Sequence, residues 1–177
     1  VAGGIRSVAD AERVLHAGAD KVSINSPALE RPALIGELAK AFGSQAVVVG
    51  IDSQRDGQDF VVYQYTGSAA HTRASSKRTL DWAAEVEQLG AGEIVLNCMS
   101  SDGVGQGYDV AQLEQVRARV SVPLVASGGA GQVQHFIDVF QRAKVDAALA
   151  AGVFHRKEIA IPALKAALRA AGLEVRT

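Results

Sequence analysis

The sequence predicts an α/β protein in which one layer of parallel strands is wrapped by helices. Three observations carry this. Short apolar runs alternate with longer stretches whose apolar residues recur at helical spacing. The run "QAVVVGID" is almost continuous in Val and Ile, as in strands covered on both faces. The connections are short, so each strand–helix–strand crossover is expected to be right-handed and to return to the same sheet.

The elements follow in order. "VAGGI" reads as a strand running into a glycine turn. In "SVADAERVLHAG", Val8, Ala11, Val14 and Leu15 share a helical face behind a Ser7 cap, and Gly18 ends the helix. "ADKVSIN" is a second strand, "PALERPALIGELAKAFG" holds a helix ending at Gly43, and "QAVVVGID" is a third strand. Residues 53–79 form a polar insertion, whose "DG" turn and alternating "FVVYQY" predict a small hairpin. The rhythm then resumes with a helix ("TLDWAAEVEQLG"), a strand ("EIVLNCM"), a helix ("DVAQLEQVRARV"), a strand ("VPLVASGG") and a helix ("QVQHFIDVFQRA"). "DAALAAGVF" reads as the last strand and "IAIPALKAALRAAG" as the closing helix.

That makes six strand–helix units in a single domain, 1–177. A doubly wound open sheet suits this length, whereas a (β/α)8 barrel needs eight strands and about 250 residues. An internal echo bears on the choice. Gly3-Gly4 opens a glycine–helix–strand passage leading to Asp20, and Gly128-Gly129 opens a similar one leading to Asp146. At strand ends, such repetition reads as duplicated half-barrel architecture.

Composition bounds the function. With 177 residues and 48% hydrophobic content, the chain can bury a sizeable core. A net charge of −1 with interspersed signs leaves no basic face, so neither nucleic acid nor a membrane surface is expected as partner. No apolar run approaches the roughly 18 residues of a membrane span, and no charged leader precedes an apolar core, so no signal peptide is expected. Cys98 stands alone and fits a reducing compartment, which predicts a cytoplasmic protein. His16, His71, His135 and His155 lack ligand spacing, so no metal or cofactor is expected.

The chemistry is expected at the carboxyl ends of the strands. Gly3-Gly4 with Asn25-Ser26, and Ser127-Gly128-Gly129 with Ala151-Gly152, form two sets whose backbone N–H groups could cradle phosphates. The alternative is that the glycines only permit tight turns. Two phosphate sites would imply a long substrate phosphorylated at both ends. Asp52, directly after "AVVVGI", is placed either for general acid–base work or to cap the following turn. Asp102 lies in a "DG" step and reads as turn chemistry or as a hydrogen-bond acceptor for substrate hydroxyls. Lys21 and Glu93 sit at strand starts, which reads as a solvated rim or as a gate to an opening there.

Taken together, "AGGIRSVADAERVLHAGADKVSINSPAL", "VVVGID", "YTG", "TLDW", "GAGEIVLN", "DGVGQGYD", "VPLVASGGAG" and "DAALAAGVFH" closely resemble the cyclase subunit of imidazole glycerol phosphate synthase, from histidine biosynthesis. The resemblance runs from Val1 to the end of the chain. It implies a (β/α)8 TIM barrel, of which the six units here would be strands three to eight. It also implies a heterodimer with a glutaminase subunit that supplies ammonia through the barrel. The implied substrate is phosphoribulosyl-formimino-aminoimidazole carboxamide ribonucleotide, which carries a phosphate at each end. Its products would be imidazole glycerol phosphate and aminoimidazole carboxamide ribonucleotide.

Carried over by position, the resemblance makes Asp52 the general acid. Gly4, Asn25 and Ser26 fall in one phosphate site; Gly103, Gly129, Ala151 and Gly152 fall in the other, with Asp102 beside it. Lys21 and Glu93 become ammonia-gate residues, and Asp20 lies on the face that docks the glutaminase. Gly152 stands where many members of the family have Ser, and Ser100 where some have Asp. The family also has two strand–helix units before "VAGGI", carrying a general base, a closing loop and two further gate residues. The chain acting alone is therefore expected to be inactive. Two other readings share these residues: the sister isomerase of the same pathway, told apart by needing no ammonia, and a non-catalytic barrel that only binds a glutaminase.

Overall fold

The structure is a computed structural model that describes residues 1–176. Helix α1 (Val8–His16) begins where Ser7, in extended backbone, accepts the Asp10 amide at 3.2 Å, while its hydroxyl donates to the Asp10 carboxylate at 2.8 Å. Strand β1 (Val22–Ile24) follows. The expected single helix after it is two helices, α2 (Ser26–Glu30) and α3 (Ala33–Phe42). Pro32 causes the break: it has no N–H to continue the ladder, and it pushes Arg31 out of helical geometry to φ −141°, ψ 82°.

Strand β2 (Val47–Asp56) runs well beyond "QAVVVGID" and turns at Gly57 into β3 (Asp59–Gln64). The insertion is more than a hairpin, because β4 (Arg73–Arg78) adds a third antiparallel strand. Its polar sequence "RASSKR" carries no apolar alternation, as befits an edge strand held mainly by backbone pairing. Next come α4 (Thr79–Gln88), β5 (Glu93–Cys98), α5 (Val110–Arg117), β6 (Leu124–Ser127) and α6 (Val133–Ala143). The chain closes with β7 (Ala147–Leu149), α7 (Gly152–His155) and α8 (Ile161–Ala170). "DAALAAGVF" is thus only in part a strand, since its last three residues belong to the one-turn helix α7. "VAGGI" is not a full strand either. Ala2 makes an isolated parallel bridge to Ser23, and the chain then leaves the sheet through Gly3 and Gly4.

The parallel strands lie in the order β1, β2, β5, β6, β7, with Ala2 beside β1. Each neighbour is the next parallel strand along the chain. A doubly wound sheet would reverse its order at a switch point, so the winding is that of an α/β barrel wall and consistent with a TIM barrel. Among the described residues the sheet is not closed: β7 pairs with β6 alone.

Alternation along β2 sets the two faces. Val47, Val49 and Ile51 are at most 1% exposed and belong to the main core with Leu34, Leu38, Trp82 and Leu113 from the helices. Val48 and Gly50 point to the concave side. Ser53 continues the covered row as a polar member. Its hydroxyl lies 2.7 Å from that of Thr79 and accepts from the Gln112 side-chain amide, so α4 and α5 are both tied to β2 by buried hydrogen bonds.

Glu87 of α4 makes a further tie. Its carboxylate accepts the Ser121 amide at 2.8 Å, the Ser121 hydroxyl at 2.6 Å and the Val122 amide at 2.9 Å. Burial alone would raise this carboxyl, but those hydrogen bonds, with Arg117 nearby, outweigh it and hold the group below the usual glutamate range. A lowered value in the folded protein stabilises it fully above the unfolded value of about 4.5, and the benefit disappears as pH falls through the folded value. In urea denaturation, Glu87→Gln is expected to be less stable than the native chain at pH 7. That gap should shrink as pH drops below about 4; a gap independent of pH would refute the tie.

Candidate functional site

One register row crosses four strands: Asp52 pairs with Asn97, Asn97 with Ser127, and Ser127 with Leu149. Parallel pairing brings side chains of one row to the same face, so the carboxyl ends of β2, β5, β6 and β7 present together. Asp52 is the centre of this row. It is 8% exposed, and three side chains donate to it: Asn25 at 2.7 Å and Thr66 at 2.5 Å to Oδ2, and Asn97 at 2.9 Å to Oδ1. Asn25 stands at the end of β1, Asn97 on β5, and Thr66 in the loop between β3 and β4, so three separate segments orient one carboxyl. A turn-capping aspartate would bond its own following amides instead.

Gly50 lies beside Asn25, and a Cβ at position 50 would make ordinary contact with that side chain, 3.6 Å from the Asn25 Cβ. The Asn25 Oδ1 is buried without a partner among the described residues. Gly3, Gly4, Asn25 and Ser26 line one concave pocket of about 560 Å³, so the structure does bring together the first predicted set. The Ser26 hydroxyl oxygen accepts the Tyr65 amide at 3.0 Å, which leaves its own proton free to donate.

The same pocket reaches Lys21 and Glu93 at the opposite ends of the strands, about 13 Å away at the usual strand rise. These two make an ion pair, Nζ to Oε2, at 2.5 Å. Asp20 is exposed beside them, ahead of β1.

The second predicted set also comes together. Asp102, Gly103, Ser127, Gly128, Gly129, Ala151 and Gly152 line a pocket of about 260 Å³. Gly128 and Gly129 have φ of +89° and +110°, and a Cβ on Gly129 would collide with the carbonyl of Gly107. That close approach is fastened by the Gly107 amide bonding the Gly129 carbonyl at 2.8 Å. Steric need thus accounts for the glycine at 129, while the N–H groups of Gly103, Gly128 and Gly129 find no protein acceptor among the described residues. Asp102 closes a turn through its own amide, which bonds the Cys98 carbonyl at 3.1 Å.

Three residues at the site escape a reading by residue type. Asn97 is visible in the sequence only as a strand end. Thr66 lies in "YTG", far from Asp52 in a polar insertion, and nothing in its spacing announces the contact. Arg156 joins the second pocket, and its signal is the interval of four residues from Gly152. Ser100 accepts the Arg55 amide at 3.2 Å, so it fastens the extension of β2 to the loop after β5. Cys98 is buried, and burial pushes its thiol up to about 12, which removes it as a nucleophile near neutrality. Among the described residues no three His, Cys, Asp or Glu side chains cluster as metal ligands, and no helix is long and apolar enough to cross a membrane.

A singly wound parallel sheet, with polar residues gathered at the carboxyl ends of its strands, defines an α/β protein consistent with a TIM barrel. Residues 1–160 match the family described as "Histidine biosynthesis protein". The chain is 66% identical to the imidazole glycerol phosphate synthase subunit HisF of Xanthomonas campestris pv. campestris (strain B100), over 99% of this chain and 69% of that protein. The HisF subunit of Xylella fastidiosa (strain M12) is 64% identical over the same shares. The chain belongs to the HisF family, whose members are subunits of a synthase and hence of an enzyme of histidine biosynthesis.

Proposed function

We propose that the chain carries the cyclase chemistry of imidazole glycerol phosphate synthase. Ammonia from a glutaminase subunit would be joined to phosphoribulosyl-formimino-aminoimidazole carboxamide ribonucleotide, giving imidazole glycerol phosphate and aminoimidazole carboxamide ribonucleotide, with the carbonyl oxygen leaving as water. The observation that carries this reading is Asp52, held by Asn25, Thr66 and Asn97 between two glycine-lined pockets. Strand order, with each parallel neighbour next in the chain, supports reading the sheet as an arc of a (β/α)8 barrel.

In this reading Asp52 is the general acid. An amine departs readily only once its nitrogen is protonated, which is the task of an oriented carboxyl at this position. Gly4, Asn25 and Ser26 receive one phosphate of the substrate. Gly103, Ser127, Gly128, Gly129, Ala151 and Gly152 receive the other, with Asp102 beside it as an acceptor for hydroxyls. Two pockets at strand ends suit a long molecule bearing an anion at each end. Lys21 and Glu93 form the gate through which ammonia enters, and the neighbouring Asp20 belongs to the surface that docks the glutaminase in a heterodimer. The setting is cytoplasmic.

The test is turnover of that ribonucleotide in the assembled synthase with ammonium salt as the nitrogen source, following release of imidazole glycerol phosphate. Product formation that requires ammonia is expected. Conversion of a substrate without ammonia would place the protein with the isomerases. Stimulation of a glutaminase with no product at all would reduce it to a docking subunit.

A further inference from the structure

Gly152 and Arg156 stand one helical turn apart. Side chains on a helix lean toward its N-terminus, so a residue covers the one four positions earlier. Arg156 does this closely: its Nη1 lies 2.7 Å and its Nη2 3.2 Å from the point that a Cβ on Gly152 would occupy. Even the small side chain of serine at 152 would claim space that the guanidinium now holds.

The guanidinium is oriented without being used up. Glu158 takes one edge of the fork, accepting Nε at 2.6 Å and Nη2 at 3.1 Å. Nη1 donates to nothing among the described residues. Arg156 is also part of the wall of the pocket that holds Gly103, Gly128 and Gly129. Asp102 lines the same pocket and by itself would repel an anion; Arg156 supplies the opposite sign.

We propose that Arg156 is a further anion-binding residue of this pocket, donating from Nη1 to a phosphate group there, and that Gly152 admits it by lacking a side chain. The proposal rests on reading the pocket as a phosphate site. A guanidinium suits the task because its planar fork can serve two acceptors on opposite edges, here a carboxylate on one and phosphate oxygens on the other.

The experiment is a titration of the protein with inorganic phosphate, followed by 15N–1H correlation spectra. The amides of Gly103, Gly128 and Gly129 and the Nε–H of Arg156 are expected to shift with a single shared Kd. Arg156→Gln should raise that Kd about tenfold or more, since a hydrogen bond to a charged group is lost. Gly152→Ser should weaken phosphate in the native background and have no such effect once Arg156 is Gln. If the glycine amides titrate while the Arg156 signal stays still, or both variants keep the native Kd, Arg156 has no such role and the phosphate site stands without it. If the glycine amides do not respond to phosphate at all, the reading of the pocket falls and this proposal with it. The Arg156 signal is read in the native protein, so the outcome does not depend on any variant folding.

Discussion

Asp52→Asn is expected to lower ammonia-dependent cyclisation by a hundredfold to ten-thousandfold, the usual span for losing a positioned acid. The amide is nearly isosteric but cannot deliver the proton. Its surroundings also make it a poor guest. Asn25 and Asn97 approach position 52 with N–H groups, and Thr66 with a hydroxyl. An asparagine side chain brings an NH2 of its own into that cage, and with the Asn25 and Asn97 amides held as they are it meets another amide donor whichever way it is turned. Leaving a donor unpaired in a mostly buried place costs about 1–3 kcal/mol. Turnover and urea stability should both fall, while the phosphate response of the Gly128 and Gly129 amides persists. A variant retaining native turnover would remove Asp52 from the chemistry.

Gly129→Ala is expected to give the larger loss of stability. An alanine there is forced to φ +110°, and its methyl runs into the Gly107 carbonyl. Backbone strain of this kind costs about 1–3 kcal/mol before the collision is counted. The methyl can be relieved only by parting the loop after β5 from the loop after β6, which breaks the bond between the Gly107 amide and the Gly129 carbonyl. A loss near 2 kcal/mol corresponds to a fall in Tm of about 4–8 °C for a protein of this size. Phosphate affinity should fall with it, because both loops line the same pocket. A Tm within a degree of the native value would mean that the two loops can separate freely.

The fold was legible where period and punctuation agree. Ser7, Gly43 and the "VVVGI" run mark their elements without help from distant residues. It was less legible where tertiary contact overrides local pattern. "GVF" looks like strand because it is apolar, yet it turns into α7 after three residues of β7. "RASSKR" looks like loop because it is polar, yet the backbone of β3 recruits it as an edge. Pro32 was a local signal that outweighs the helical period around it. Counting along the strands places Asp52 toward a carboxyl end and Lys21 and Glu93 at strand starts, as the structure has them. The Lys21–Glu93 ion pair spans 72 positions of sequence and the Thr66–Asp52 bond joins an irregular loop to a strand, so neither contact leaves a periodic trace. Arg156 was countable, but its meaning depends on the side chain that Gly152 lacks, whose place the guanidinium takes.

The row from Asp52 through Asn97 and Ser127 to Leu149 carries one more consequence. The height of each side chain in it is set by ladder hydrogen bonds, and a ladder can move only in whole residues. Position in this row is therefore quantised. A slip of one residue does not nudge a group by a fraction of an ångström; it turns the group through to the opposite face, beneath the helices. Graded adjustment is left to side-chain rotamers and to the loops, including the one that carries Thr66, while the strands behave like a digital lock.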